Sequence, residues 1–285
     1  MNAKADLVIT QSKSKLTIVP RRVKFDYTDI DSPTFYPENT VISAYWVGLS
    51  STFPIGEAEF IRSVKLFENK ITDPKLKEEV KDFATQEAHH SLQHKMLNKQ
   101  FDACGYSTKK VEELMDKKLK ERAAKWSAEK RLMRTVAAEH FTAVMAHHAL
   151  THPEALAPAP SSFRNLMLWH AIEEVEHKSV AFDVYVHCVG DMAKLRRHYA
   201  YFAFIEFPMN MYFITRFLLK ELGHKTTWKE RKGMWGLLFG EGGTVSSIKH
   251  LYMMFLKKSF HPWQHDDSEL VAKWKEELSP YFVSS

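Results

Sequence analysis

Cysteine is nearly missing from this 285-residue sequence, which has only Cys104 and Cys188. Two thiols cannot build a disulfide framework, and they fit a reducing compartment. Glycine and proline are also scarce, at ten and eleven. That scarcity disfavours a turn-rich, many-stranded architecture and favours long helices. No block of one charge sign stands out, because the net charge of +5 is spread along the chain, so there is no footprint for nucleic acid. The amino terminus, MNAKADLVITQSKSK, lacks an apolar core of leader length, and the expected location is the cytoplasm. Long hydrophobic runs are absent as well. The most apolar stretch, Tyr199 to Leu219, is interrupted by Glu206, Pro208, Asn210 and Arg216 and reads as a packed helix pair, not a membrane span. Peripheral contact of that stretch with a membrane stays open, as does a homodimer.

What is present is helical periodicity. Residues 1–52 hold short β-branched and aromatic runs broken by proline and read as an extended arm. From Pro54 the pattern predicts helices near 54–70, 74–103, 127–151 and 162–189. An apolar region at 199–222, a glycine turn at FGEGG and a helix around Ser246 to Lys258 would cap one side of that set. The expected organisation is all-α: one domain over 1–285, with the arm at 1–52, a four-helix core at 54–189 and a helical cap at 190–285.

Two ExxH pairs carry the chemistry, Glu87 with His90 and Glu174 with His177. With 15 histidines in the chain chance supplies about one such pair, and a third copy, Glu221 with His224, sits at a helix end beside Gly223. The first two differ from background because each lies inside an apolar stripe. The second helix runs Leu76, Val80, Phe83, Glu87, His90, His94, Leu97, Phe101, and the fourth runs Phe163, Met167, His170, Glu174, His177, Ala181, Val184, Cys188. Positions three and four apart share a helix face, so acids and imidazoles interrupt a core-facing seam twice. Buried carboxylates need a compensating charge, and two divalent metals supply it.

The first and third helices should each add one inward glutamate. Glu57 shares a face with Phe60, Val64 and Phe67, whereas Glu59 falls with Arg62 and Ser63. Glu139 lies in line with Leu132, Val136, Ala143, Ala146 and Leu150, while His140 points elsewhere. Four carboxylates then carry four negative charges, which two divalent ions cancel. Candidate groups orienting the imidazoles are Gln86, Glu173 and Asp183, next to the ligands in sequence. His94 is expected to stand behind the ligands or line the pocket, with ligation as the lesser alternative, and Trp169 and Tyr185 to pack.

One glutamate from each of two helices with an ExxH from each of two others resembles the ligand pattern of the ferritin-like di-iron carboxylate proteins. The phrases FPIGEAEF, QEAHHSLQH, AAEHFTA, WHAIEEVEHKSVAFDVY and FHPW further resemble a bacterial family catalogued as predicted metal-dependent hydrolases, over about Arg21 to the end. His170, one turn before Glu174, resembles the additional histidine ligand of the di-iron arylamine N-oxygenases. These resemblances imply a ferritin-like four-helix bundle with C-terminal capping helices, holding two iron ions or a mixed iron–manganese pair on Glu57, Glu87, His90, Glu139, His170, Glu174 and His177. No catalytic residue is expected beyond these ligands. The implied activity is an oxidase or oxygenase taking dioxygen as co-substrate, a small organic substrate and an electron donor. The alternative is a metal-dependent hydrolase that uses a metal-bridging hydroxide, and iron storage or detoxification is a third reading.

Overall fold

A computed structural model describes residues 16–283, and among them lie eleven α-helices and one pair of two-residue strands. Residues 1–15, with the expectation that no leader is present and the first part of the expected arm, fall outside the described residues. The remainder of the arm carries β1 (Arg22–Val23), which pairs antiparallel with β2 (Phe282–Val283). Side chains of the second helix hold the arm down: Gln93 Nε2 donates to Val23 O at 3.0 Å and Gln100 Nε2 to Ile30 O at 2.6 Å.

The arm ends earlier than the sequence implies, because α1 (Thr40–Lys65) contains Pro54 in its interior. A proline has the same local signature at a helix's first turn as inside it. Here its cost is covered by neighbours. The Ser50 carbonyl, deprived of its helical donor, accepts from Asn98 Nδ2 at 3.4 Å, and the Asn39 side chain caps the true start by accepting from Ile42 N at 3.0 Å. α2 (Pro74–Ala103) has the bounds its sequence signals, with Asp73 as cap and proline at the first position. α3 (Thr108–Lys125) was not expected, since its apolar residues at Val111, Met115 and Leu119 form a narrow stripe among charges. α4 (Ala128–Thr151) follows, capped by Ser127.

The expected fourth core helix is two: α5 (Ser161–His177) and α6 (Val180–Cys188), parted at Lys178 and Ser179. At that break the Lys178 ammonium donates to the His265 carbonyl at 2.7 Å and to Asp267 Oδ2 at 2.8 Å. Gly190, at φ 79°, ends α6 as the sequence implies. Then come α7 (Met192–Tyr201), a π-helical turn (Phe202–Glu206), α8 (Phe207–Glu221), α9 (Trp228–Phe239), α10 (Thr244–Met254) and α11 (Ser268–Leu278). α9 and α11 were not expected from periodicity. No helix among the described residues is long and apolar enough to cross a membrane.

The helices that carry the candidate ligands pack as α1 on α2 and α4 on α5, with further contact between α1 and α4 and between α2 and α5. Their apolar core is divided. One cluster gathers Phe60, Val64, Phe83, Leu132, Val136 and Val184, the other Val47, Leu97, Phe101, Leu150, Phe163 and Trp169. Along α1, α2 and α4 the stretch between the two clusters holds Glu57, Glu87 with His90, and Glu139, while Glu174 and His177 lie near the end of α5, before Val180 of the first cluster on α6. α8 lies across α1 at Gly48, where an added Cβ would sit 2.9 Å from Ile214 Cγ2, so the missing side chain sets how closely the two helices approach.

Candidate metal centre

The seven residues singled out by the stripes meet in the layer between the two apolar clusters. Glu57, Glu87, His90, Glu139, His170, Glu174 and His177 are all buried, none exceeding 4% exposure. They fall into overlapping groups whose donor atoms lie within 4.8 Å of one another: Glu57, His90 and His170; Glu87, His90 and Glu174; Glu87, Glu139 and His177. Glu87 belongs to two of these groups. Glu174 is equally central, since its Oε1 lies 2.8 Å from His170 Nε2, 3.7 Å from His177 Nε2 and 3.9 Å from His90 Nδ1.

Several of the donor atoms lack a partner within the protein. Glu57 Oε1, both oxygens of Glu87 and of Glu139, His90 Nδ1 and His177 Nε2 are buried without a hydrogen-bond partner. Buried polar atoms are almost always paired, and these seven sit on residues of the overlapping donor groups, where cations would pair them. The titration behaviour agrees. Burial, reinforced by Glu87, drives the Glu57 carboxyl well above its ordinary value, and burial with Glu87 and Glu174 does the same to Glu139. Burial holds His90 well below the ordinary imidazole value. His177 moves the other way: burial opposes it, but Glu174 and Glu87 hold it well above. Four acids and these imidazoles fit two divalent cations, which would neutralise the carboxylates and give every orphan a partner.

The opposite edges of Glu57, Glu174, His90 and His177 are fixed by an outer set of partners. Ser91 Oγ donates to Glu57 Oε2 at 2.7 Å and Thr142 Oγ1 donates to Glu174 Oε2, leaving each carboxylate's other oxygen facing the centre. His177 Nδ1 lies 2.9 Å from Gln86 Oε1, and His90 Nε2 lies 3.2 Å from Glu173 Oε2. These two partners were legible by proximity. Asp183, the third candidate, is not one of them; it lies against His261 Nε2 at 3.0 Å, beyond the break in the helix that would have carried it inward.

Sequence reasoning missed Arg21, which joins the outer set together. Its backbone N–H donates to Glu173 Oε1 at 3.0 Å, and its guanidinium grips Glu176 with two bonds of 2.8 Å. Glu176 Oε2 in turn accepts from Gln86 Nε2 at 2.8 Å. Arg21 therefore stands behind both His90 and His177. Burial and Glu176 push the Glu173 carboxyl up to about 8, with Arg21 pulling it down. Arg21 lies in the arm, where no periodicity marks a residue as inward.

His170 sits inside the cluster, 3.9 Å from Glu57 Oε1. His94 does not join it; its Nε2 lies 2.8 Å from His170 Nδ1 and its Nδ1 2.9 Å from Ser50 Oγ, so it orients His170 from behind. Glu59 is buried but outside the centre, bound by Arg131 at 2.7 and 3.0 Å. Trp169 packs edge-on against His90 with ring centres 5.0 Å apart, and the Tyr185 hydroxyl donates to Asp191 O. The third ExxH pair makes no site: Glu221 pairs with Lys110 and His224 with Glu230.

A cavity of about 120 Å³ opens onto Glu57, His170 and Glu174. Its walls are largely apolar, with Phe53, Phe60, Phe141, Met145, Met167 and Met211 among them, and the π-turn and α8 close one side through Phe202, Phe207 and Ile214. Arg134, which also lines it, is committed to Glu206 at 2.9 Å.

A smaller cluster of His147, His265 and Asp267 lies apart. Lys178 already donates to Asp267 at 2.8 Å and His147 Nδ1 lies 2.7 Å from it, so this group is an ion-paired clasp that fixes the segment after α10 onto α4 and α5.

The family model described as predicted metal-dependent hydrolase matches residues 19–266. The chain belongs to that family. The match spans all seven clustered residues and Arg21, and the family's description agrees with a metal-holding centre. No curated protein and no solved structure matches the chain.

Proposed function

We propose that the chain is a dinuclear metalloenzyme. In this reading Glu57, Glu87, His90, Glu139, His170, Glu174 and His177 hold two iron ions, or an iron–manganese pair, and dioxygen oxidises a small apolar organic substrate with electrons from a separate donor. The ferritin-like bundle expected from the ligand pattern is part of the same proposal, as is a single domain over the whole chain. The observation that carries the metal is the convergence of seven orphaned buried donor atoms on a set of four glutamates, whose charge two divalent ions cancel.

An iron pair held by these seven residues would supply the electrons for dioxygen chemistry. The protein's own part is positioning and exclusion. Ser91 and Thr142 hold one oxygen each of Glu57 and Glu174, so these carboxylates turn their other oxygen toward the centre. Glu173 and Gln86 lock the rings of His90 and His177. Phe53, Phe141 and the methionines of the cavity keep water away from the face where Glu57, His170 and Glu174 are exposed to substrate.

Oxidation is favoured over hydrolysis by the charge and the cavity together. A glutamate-rich set neutralises its metals, whereas a hydrolytic centre gains from a more cationic pair that acidifies water. The cavity also offers few free polar groups to an ester or phosphate. Hydrolysis of an apolar ester or amide is the second reading, and the family's description favours it. Anaerobically reduced, iron-loaded protein should consume dioxygen with a change in its visible absorption. A protein that stays silent in air, yet hydrolyses model esters or phosphates when loaded with zinc, would replace the first reading by the second.

A further inference from the structure

The outward surface of the π-turn, α8 and α9 is apolar where a solvated helix is polar. Among the described residues seventeen large hydrophobic side chains are exposed, and ten of them fall between Tyr201 and Met253. Tyr201, Phe204, Ile205, Met209, Tyr212 and Phe213 follow one another at steps of mostly three or four and make one stripe. On α9, Trp228, Trp235 and Phe239 share a face, with Trp228 78% exposed. Both α8 and α9 pack on α1. A patch of this extent on a protein surface marks a contact with something else.

The charge around the patch indicates the partner. Residues 192–258 hold twelve Lys and Arg against four Asp and Glu, an excess of eight in a chain whose net charge is +5, so the charge is not spread along the chain as expected but gathers in this part. Three of the four acids are engaged, Glu206 by Arg122 and Arg134, Glu221 by Lys110, and Glu230 in the cap of α9. Arg216 and Lys220 continue the α8 stripe, and Arg231 and Lys232 lie between the two tryptophans of α9. A second copy docking through this face would bring two positive surfaces together, which opposes association. An anionic bilayer offers acyl chains to the apolar stripe, an interface to Trp and Tyr, and counter-charge to Lys and Arg.

We propose that this face docks the protein on an anionic lipid bilayer. The inner side of the π-turn and α8 forms a wall of the cavity beside the candidate metal centre, through Phe202, Phe207 and Ile214. The stripe on these two elements and the cavity are thus opposite faces of one helical layer, with a π-turn, a segment of irregular hydrogen bonding, at its start. Docking does not depend on which reaction the centre performs.

The test is co-sedimentation of the full, metal-loaded chain with vesicles of phosphatidylcholine alone and of phosphatidylcholine mixed with phosphatidylglycerol, at low and high salt. Protein should pellet with the mixed vesicles, and salt should release it. Trp228→Ala with Trp235→Ala, and separately Arg231→Glu with Lys232→Glu, should each weaken binding by about tenfold or more. All four residues are exposed, so melting temperature and metal content should not change. Wild-type protein that stays in the supernatant with anionic vesicles overturns the proposal, as does binding that neither pair of substitutions alters. A solution dimer that the tryptophan substitutions convert to monomer assigns the face to a second copy and overturns it equally.

Discussion

The Arg21→Ala substitution removes a cation that stands behind both histidines of the ExxH pairs. In the folded chain Arg21 gives one backbone and two strong guanidinium bonds to Glu173 and Glu176, whose side chains are both 0% exposed. The alanine variant keeps the backbone bond and leaves Lys275 as the remaining cation on Glu176. Deleting one partner of a buried ion pair costs about 3–5 kcal/mol, and shared service by Lys275 puts the expected loss toward the lower end. The metal is affected through Glu173, which faces His90 at 3.2 Å, and through Gln86, which faces His177 at 2.9 Å. Loss of such an outer partner lowers metal affinity about 10–100-fold, or about 1.4–2.7 kcal/mol. Competition with a calibrated chelator, read on wild type, Arg21→Ala and the exposed neighbour Arg22→Ala, measures this. Both metals should loosen in Arg21→Ala and neither in Arg22→Ala. An Arg21→Ala protein with wild-type affinity and melting temperature would refute the idea that the arm sets the ring orientations.

Three further outcomes follow from the same geometry. His170→Ala should keep the fold and most of the metal while changing the visible spectrum and reactivity of the loaded centre, because His170 exceeds the six donors that Glu57, Glu87, His90, Glu139, Glu174 and His177 supply; metal analysis with the spectrum checks this. Glu59→Ala should lower the melting temperature by breaking its pairs with Arg131 and Arg62 but leave metal content unchanged, whereas Glu139→Ala should lower the metal content. Asp267 gives the pH dependence: burial alone would raise its carboxyl, but His147, His265 and Lys178 hold it well below the ordinary value. A depressed carboxyl stabilises the fold above its unfolded value of 3.8 and loses that contribution as pH falls through the folded value. Asp267→Asn should therefore lower stability near neutrality and flatten the acid limb of a melting-temperature profile.

The candidate centre was legible because burial leaves a pattern in sequence: Glu87 and His90 among Val80, Phe83 and Leu97 can be read only as acids and imidazoles placed inward. The ends of α2 were legible for a local reason, the Asp73–Pro74 cap. Where the cause is distant, the sequence is silent. Pro54 looks like a helix start, and only Asn98, far along the chain, shows that it is an interior position. The break between α5 and α6 coincides with a lysine drawn to Asp267, again a long-range partner. Arg21 reaches Glu173 across 152 positions, and no spacing rule connects an irregular arm to a helix face. α3 escaped notice because three apolar residues among many charges give too weak a period.

Elemental analysis of protein purified from iron-supplied cells tests the central claim most directly, with Glu87→Ala alongside, since Glu87 belongs to two of the donor groups. The expected wild-type content is about two metal ions per chain, because one divalent ion leaves two of the four buried carboxylates without compensation, and Glu87→Ala should fall well below it. A metal content near zero in fully folded wild-type protein would contradict the account.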